Sequence, residues 1–233
     1  MYKIFHELIN LIFPKKCVYC GGYEDSYICN HCSGFLNPYS PECYITRTPS
    51  RDWEIKPGAK QSTHLEKVYY FYQYNKVIES LMMGIKYGFH KDKISEIVRL
   101  LFRSDEFNKI SFTIFDVITW VPMHTRRERW RGFNQTELIA KKIGQHMHLP
   151  SLPVLYKYKH TKAQIDLTEA QRKTNLMHTF KLLPSVNLAE HVNSILLIDD
   201  VCTTGSTFEA CATAIKEHYP HVKIYGLCLA RGT

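Results

Sequence analysis

A short apolar run followed by two acids and a small-residue loop constrains the fold of this chain most. Residues 195–198 read Ile-Leu-Leu-Ile, which predicts a strand buried on both faces of a parallel sheet. Asp199 and Asp200 follow directly, at the carboxyl end where open α/β sheets place their ligands. The loop 203–207 then reads Thr-Thr-Gly-Ser-Thr. We therefore predict an α/β fold with a binding site at this end of the strand.

A helix is predicted after this loop. Ser206 and Glu209 fit a capping box, so the helix should begin there and run toward His218. Backbone N–H groups and hydroxyls of a small loop at a helix N-terminus can surround a phosphate, and the helix dipole adds to the attraction. The segment thus predicts an anion site.

The two carboxylates would repel a phosphate, so they need another role. A ligand with a phosphate at one end and vicinal hydroxyls at the other, a ribose 5-phosphate, satisfies both parts of the segment. The segment resembles the PRPP-binding motif of type I phosphoribosyltransferases. That resemblance implies that Asp199 and Asp200 hold the ribose hydroxyls, directly or through Mg²⁺, while the loop holds the 5-phosphate. The alternative is a buried strand that ends in an Asp-containing turn. The candidate PRPP-binding residues are Asp199, Asp200, Val201, Cys202, Thr203, Thr204, Gly205, Ser206 and Thr207.

Composition excludes two classes of protein. With 45% hydrophobic residues the chain can build a core, which argues against disorder. No apolar run approaches the ~18 residues of a membrane span. The stretch 4–13 is interrupted by polar residues and makes a poor signal peptide, and a short amphipathic helix that ends before Pro14 suits it better. We therefore expect a cytoplasmic protein.

Net charge is +8, and the excess is concentrated in the runs 124–131 and 157–162. Basic runs are commonly solvated faces. Both of these contain aromatic residues, however, which also suits single-stranded nucleic acid. A pyrophosphate clamped by arginines would explain the first run equally well. The candidates for pyrophosphate or nucleic-acid contacts are Arg126, Arg127, Arg131, Lys162, Gln164 and Arg172.

Four cysteines near the N-terminus form a C-x₂-C-x₈-C-x₂-C array. Two such knuckles can complete a tetrahedral thiolate site, so we expect structural zinc on Cys17, Cys20, Cys29 and Cys32. Two disulfides or a redox C-x-x-C are the alternatives, and a cytosolic setting argues against disulfides. A closed four-thiolate site would fold a small module rather than catalyse a reaction.

The remaining chain divides into predicted elements and connecting segments. We expect an N-terminal helix and zinc-ribbon module over 1–45, a Pro- and Ser-containing connector over 46–66, and a phosphoribosyltransferase-like domain over 67–233. Strands are predicted over 68–74, 112–123 and 223–230, and the second of them is predicted to be a central strand of the sheet. Helices are predicted over 77–87, 94–102 and 136–146, with a basic loop at 124–131 and a polar flap at 157–175.

The whole pattern resembles the ComF family. The four-cysteine module, the segment Ile85-Lys86-Tyr87, Val121-Pro122 with the RGFNQ string at 131–135, and the PRPP loop occur in that order. Gln164, Leu167, Arg172 and Asn175 match the family's flap. This chain departs where many members read Val-Pro-Val-Pro, since it has Met123 and His124. The resemblance implies a type I phosphoribosyltransferase fold and a role in natural competence, in which members act on incoming single-stranded DNA beside a helicase-like and a DNA-processing partner.

Two functions from different classes follow. In the first, the protein is a PRPP-binding module for DNA uptake that binds single-stranded DNA, with affinity that falls steeply with salt. In the second, it is an active phosphoribosyltransferase that uses Mg²⁺-PRPP, with Asp199 and Asp200 as catalytic residues and a nucleobase-like acceptor. The sequence leaves the acceptor open.

Overall fold

The computed structural model describes residues 14–38, 64–158 and 179–232. The predicted N-terminal helix, almost all of the connector and most of the flap lie outside these residues. The helices are α1 (Asn30–Ser33), α2 (Lys76–Lys86), α3 (Ile94–Arg103), α4 (Asp105–Asn108), α5 (Thr125–Arg131), α6 (Gln135–Met147) and α7 (Ser206–Lys216), with 3-10 turns at Lys91–Lys93 and Phe112–Ile114. The strands are β1 (Lys67–Gln73), β2 (Val117–Trp120), β3 (Leu155–Lys157), β4 (Phe180–Leu182), β5 (Ser194–Ile198), β6 (Val201–Cys202) and β7 (Lys223–Arg231).

One parallel sheet organises the chain. Its strands lie in the order β1-β7-β5-β2, and the short β6 continues the pairing along β7. β3 and β4 form a separate antiparallel pair. Parallel neighbours need crossover connections, which here include helices, so the predicted α/β fold class is confirmed.

Successive side chains of β5 point to opposite faces of the sheet, so they contribute to two different cores. Leu196 and Ile198 belong to a core with residues of α2, α3 and α6, such as Ile139. Ile195 and Leu197 belong to the core that contains residues of α7. The apolar run in the sequence therefore reflects burial on both faces, as predicted.

The predicted strand over 112–123 is shorter than expected. Phe112–Ile114 forms a 3-10 turn, and only Val117–Trp120 pairs, at the edge of the described sheet and not at its centre. The reason is aromatic packing before the strand. The ring of Phe112 lies 5.0 Å from that of Phe107 and 5.9 Å from that of Phe115, measured between centroids, so these residues build a core cluster outside the sheet.

The prediction of a basic loop at 124–131 is also wrong, because most of these residues form helix α5. Nδ1 of His124 accepts a hydrogen bond from N–H of Arg126 at 3.2 Å and caps the start. Gly132 ends the helix with φ +83°, and its N–H donates to the carbonyl of Glu128 at 2.7 Å. This part of the chain therefore presents its arginines from a helix.

The predicted helices around the site are confirmed, and asparagines fix where two of them begin. Oδ1 of Asn75 accepts from N–H of Val77 and Ile78, each at 3.1 Å, at the start of α2. Oδ1 of Asn134 accepts from N–H of Thr136 at 3.1 Å at the start of α6. Among the helices in the three described segments, none has the length and apolarity needed to span a membrane.

The four-cysteine segment packs on the α/β domain. Ile28 and Leu36 belong to the same core as the residues of α2 and α3. The Nδ2 group of Asn75 donates to the carbonyl of Phe35 at 2.8 Å, and Oη of Tyr27 donates to the carboxylate of Asp92. The two parts of the chain therefore share a buried surface.

Candidate functional site

The two acids lie in the interruption between β5 and β6. Both strands pair with β7, and the backbone stays attached to it there. N–H of Asp199 donates to the carbonyl of Leu227 at 2.9 Å, and the carbonyl of Asp200 accepts from Leu229 at 3.1 Å. Oδ1 of Asp199 accepts from N–H of Asp200 at 2.8 Å, and Oδ1 of Asp200 accepts from N–H of Val201 at 2.7 Å. The sheet thus holds both carboxylates at its carboxyl edge.

Two side chains from other elements contact Asp200, which is buried, and a third side chain reaches it through one of them. Nζ of Lys86, the last residue of α2, lies 2.8 Å from Oδ2 of Asp200. Nε2 of Gln135, the first residue of α6, donates to the same oxygen at 2.8 Å, and Oε1 of Gln135 accepts from Nη1 of Arg131 at 2.6 Å. A chain of contacts therefore links α5, α6 and α2 to the end of β5.

These contacts move the pKa values of the two acids in opposite directions. Burial alone would raise the pKa of Asp200, but the charge and hydrogen bond of Lys86, with the Gln135 and Val201 hydrogen bonds, lower it. Burial, together with the neighbouring Asp200 charge, raises the pKa of Asp199 well above the ordinary value. For Lys86, burial works against the charge, yet the attraction of Asp200 raises its pKa. Asp200 is thus the ionised member and Asp199 holds a proton more readily.

The loop 203–207 leads from these acids into α7. Gly205 has φ +78°, which a residue with a Cβ adopts at a cost, and it is the N-cap of the helix. Oγ1 of Thr204 lies 2.7 Å from Oγ of Ser206 and accepts from N–H of Ser206 at 3.4 Å. The acids and the whole loop line one cavity of about 300 Å³, together with Tyr74, Lys86 and Phe208. The predicted residues are therefore brought together.

One prediction about this loop is wrong. The capping box does not form, because Gly205 is the N-cap and Ser206 is already helical. Glu209 instead places its carboxylate 2.8 Å from Nδ1 of His64. Cys202, just before the loop, is buried, with Sγ 3.8 Å from Oη of Tyr70. The N-terminus of α7 thus carries no side-chain cap from its N-cap residue, which leaves it open toward the cavity.

The predicted arginines separate into two groups. Arg126 and Arg127 are exposed on α5, whereas Arg131 is only 6% exposed. Burial lowers the pKa of Arg131, Asp200 opposes this, and the charge of Arg127 lowers it further. Burial and the charge of Arg127 likewise lower the pKa of Lys157, so the charge of Arg127 acts on both groups. Within the described residues, Nε of Arg131 has no hydrogen-bond partner. Lys162, Gln164 and Arg172 lie outside the described residues.

Sequence reasoning assigned no role to Lys86 or Gln135. Both occur in strings that carried the family resemblance, Ile85-Lys86-Tyr87 and the RGFNQ string, but neither string states which partner its polar residue contacts. Only the fold brings them to the same carboxylate oxygen. The signal that was available was a lone lysine at the end of an apolar helical pattern.

The four predicted cysteines form one cluster. The Sγ atoms of Cys17, Cys20, Cys29 and Cys32 all lie within 4.8 Å of one another. Sγ of Cys20 is 3.7 Å from that of Cys29, close to the ~3.8 Å edge of a tetrahedron with metal–sulfur bonds of about 2.3 Å. Gly21 turns the first knuckle with φ +77°. All the described cysteines are free thiols. This cluster can hold one metal ion.

Thiolate chemistry agrees with that geometry. Burial alone would raise the pKa of Cys17, but hydrogen bonds from backbone N–H groups of Cys20, Cys29 and Tyr19 lower it to about 6. N–H of Cys32 also donates to Sγ of Cys29 at 3.4 Å. The thiolate is the metal ligand, and the backbone favours it at Cys17, whereas burial and the neighbouring cysteines raise the pKa of Cys32.

Comparison with known proteins gives relatives along most of the chain. The chain is 25% identical to Competence protein F of Haemophilus influenzae over 240 residues, covering 98% of this chain and 97% of that protein. It is 25% identical to Competence protein ComFC of Bacillus subtilis over 218 residues, covering 89% and 85%. It is 30% identical to DNA utilization protein YhgH of Escherichia coli over 115 residues, where the match spans about half of each chain, 48% and 49%.

Other comparisons are less extensive. No protein-family model matches the chain. Among solved structures, a xanthine-guanine-hypoxanthine phosphoribosyltransferase of Helicobacter pylori is similar at a TM-score of 0.34 and 12% identity, covering 70% of this chain and 77% of that one. Orotate phosphoribosyltransferase of Aeropyrum pernix is similar at a TM-score of 0.34 and 14% identity, covering 66% and 64%.

Proposed function

Because this chain belongs to the ComF family, we propose that it is a PRPP-binding protein that handles single-stranded DNA in the cytoplasm during DNA uptake. The observation that carries the PRPP part is the single cavity of about 300 Å³ at the carboxyl edge of the sheet. It joins the neighbouring acids Asp199 and Asp200 to the loop 203–207 at the start of α7. The relatives named for competence and DNA utilization support the DNA part.

Each part of PRPP has a counterpart in this cavity. The 5-phosphate suits the hydroxyls of Thr203, Thr204 and Ser206 and the N-terminus of α7, where N–H groups and the helix dipole favour an anion. The ribose hydroxyls suit the two carboxylates. The pyrophosphate is left for the cations, of which Lys86 lines the cavity and Arg127 is exposed on α5.

Mg²⁺ fits this site because carboxylates are the ligands that it prefers, usually one or two together with phosphates and waters. Asp199 and Asp200 would hold it, and it would neutralise charge on the pyrophosphate. Lys86 compensates the charge of Asp200. The lysine therefore favours the ionised form of this buried carboxylate.

Calorimetry with Mg²⁺-PRPP tests this proposal. The wild type should bind saturably, and the double variant Asp199→Asn with Asp200→Asn should not, although it keeps the wild-type circular dichroism. Asp105→Asn, an exposed aspartate in the first turn of α4, is the matched control and should bind normally. Equal binding by the double variant would refute the ribose site.

An active phosphoribosyltransferase is the second candidate. It is favoured by the opposite pKa shifts of the two adjacent acids, since a neutral and an ionised carboxyl side by side suit acid–base chemistry. Pyrophosphate release from Mg²⁺-PRPP should be measured across nucleobases and single-stranded DNA. Release that needs both acids and one acceptor would establish the transferase. Binding without release would make the site a sensor.

For the four-cysteine cluster we propose structural zinc, because four thiolates at tetrahedral spacing leave no open coordination position. The ion would hold the segment against the α/β domain. The partners expected in DNA uptake are a helicase-like protein and a DNA-processing protein. Co-purification of either with the wild type, but not with a variant that lacks the segment, would test this.

A further inference from the structure

Three exposed aromatic side chains form a cluster where α2 and α5 end. Tyr87, Phe89 and Trp130 are 53%, 46% and 57% exposed. The ring centroids of Phe89 and Trp130 are 4.8 Å apart with an interplanar angle of 67°, and those of Tyr87 and Trp130 are 6.5 Å apart at 66°. We call these three residues the aromatic patch. Contiguous exposed rings mark a binding surface more often than single ones do.

The patch is fixed to the ribose-phosphate site by its neighbours in sequence. Tyr87 follows Lys86, whose Nζ contacts Asp200, and Trp130 precedes Arg131, which reaches Asp200 through Gln135. The α2 C-terminus and the α5 C-terminus therefore meet at the patch. A chain bound across the patch would lie beside the cavity that we propose for PRPP.

Charge around the patch is positive. Helix α5 carries four arginines and one glutamate in seven residues, and Arg126, Arg127 and Arg129 are exposed. Rings with open faces next to cations match a ligand with unstacked bases and a phosphate backbone. A duplex offers no free base faces, and a folded protein partner would not require arginines at this density.

Phe89 adds a second argument. Its φ of +58° lies in the left-handed region, which a bulky residue adopts at a cost in conformational energy. Glycine would suit that backbone better, yet the position carries an exposed ring packed edge-on against Trp130. A strained residue that holds a solvent-exposed ring in place is more easily explained by a ligand than by stability.

We propose that the aromatic patch stacks the bases of single-stranded DNA while Arg126 and Arg129, exposed on α5, contact its phosphates. The inference rests on the proposed DNA-handling function and assigns it a surface. It also predicts which part of DNA binding depends on bases and which depends on phosphates.

The test compares a labelled oligothymidylate with an abasic oligonucleotide of equal length by fluorescence anisotropy. The wild type should prefer the oligothymidylate. Trp130→Ala should weaken oligothymidylate binding by about fivefold to a hundredfold and leave abasic binding almost unchanged. The control Ile114→Ala removes an exposed apolar side chain near the amino edge of the sheet and should change neither affinity.

Phe89→Gly separates stacking from folding. It removes a ring and suits the left-handed backbone, so it should retain the wild-type Tm and Mg²⁺-PRPP affinity while losing base-dependent DNA binding. Arg129→Gln should instead weaken the binding of both oligonucleotides. It should also make the slope of log K against log salt shallower by about 0.7 for each phosphate that the protein no longer neutralises.

The outcomes test the aromatic patch and the DNA-handling function separately. If the wild type binds oligothymidylate and both patch variants keep its preference over the abasic strand, the patch is refuted and the DNA-handling function stands. If the wild type binds neither oligonucleotide, the DNA-handling function fails and the patch fails with it. Mg²⁺-PRPP binding is measured separately and is unaffected by either result.

Discussion

Nζ of Lys86, at the end of α2, lies 2.8 Å from Oδ2 of Asp200, at the carboxyl end of the central strand β5. The side chain of Asp200 is 7% exposed and that of Lys86 is 29% exposed. The pair joins a helix to the sheet at the centre of the candidate site. Because Asp200 is almost fully buried, its ionised form depends on the positive charge of Lys86.

Lys86→Met should therefore destabilise the protein at neutral pH. Removing one member of a buried pair costs about 3–5 kcal/mol, and the partial exposure of Lys86 and the remaining Gln135 hydrogen bond reduce this to roughly 1–3 kcal/mol. The lowered pKa of Asp200 contributes stability above the ordinary aspartate pKa of about 3.9, and this is lost as the pH falls through the lowered value. Thermal unfolding at a series of pH values measures the effect.

The control for this variant lies on the same helix. Lys76→Met removes an exposed lysine that pairs with Glu79 at 2.9 Å, and it should change stability by less than about 0.5 kcal/mol. The difference in Tm between wild type and Lys86→Met should narrow as the pH falls through the raised Asp200 pKa that burial leaves in the variant, and it should go on narrowing down to the lowered wild-type value. A difference that stayed constant down to acid pH would mean that the lysine acts through packing and not through Asp200.

Asp199→Asn should stabilise the ligand-free protein. Burial and the Asp200 charge raise the pKa of Asp199, so the folded state binds a proton that the unfolded state has released. Above the ordinary pKa, wild-type stability therefore falls with rising pH until the raised value is passed. The asparagine variant has no such loss, and its amide oxygen can keep the hydrogen bond from N–H of Asp200.

We expect a gain of roughly 1–2 kcal/mol at pH 7 that disappears near pH 4, read from urea unfolding midpoints at both pH values. Mg²⁺-PRPP binding should be lost at the same time, since stability and site function oppose each other here. Asp200→Asn is the informative comparison, because it leaves Lys86 without its partner and should destabilise. If both variants shifted stability in the same direction, the assignment of the ionised member would be wrong.

Gln135→Leu should disconnect Arg131 from the acids. The amide bridges Nη1 of Arg131 and Oδ2 of Asp200, and its removal leaves a buried guanidinium with fewer partners. The expected cost is about 2–3 kcal/mol, as for buried hydrogen bonds to charged groups. Calorimetric Tm and Mg²⁺-PRPP affinity are the two measurements. Glu137→Gln, in the first turn of the same helix, should change the Tm by no more than an exposed ion pair does.

Much of the fold was predictable because its signals are local. Burial leaves a pattern of apolar residues within a single segment, so that segment can be recognised without its neighbours. Examples are the apolar run before Asp199, the helical spacing over 94–102 and the strand over 223–230. Helix α5 was missed because basic residues gave it no apolar period. Its signals were the cap at His124 and the left-handed Gly132.

The composition of the site was predictable, whereas its connections were not. The acids and the loop 203–207 are contiguous in sequence, so one motif names them all. Lys86 and Gln135 reach Asp200 from helices 114 and 65 residues away in the chain, and only the sheet brings them together. The roles of the predicted site residues stay predictions until the variants above are measured.

Metal removal tests the four-cysteine cluster, and the packing of this segment makes the result informative for the whole protein. One zinc ion per chain is expected by elemental analysis, and Cys29→Ser should lose it. Because Ile28 and Leu36 share the core with α2 and α3, the loss should lower the Tm of the entire protein and not only unfold the segment. A cost of about 3 kcal/mol corresponds to roughly 6–12 °C for a chain of this size. His31→Ala is the control, since His31 is exposed and lies outside the cluster, so this variant should keep both zinc and Tm. An unchanged Tm after complete chelation of zinc would mean that packing alone holds the segment.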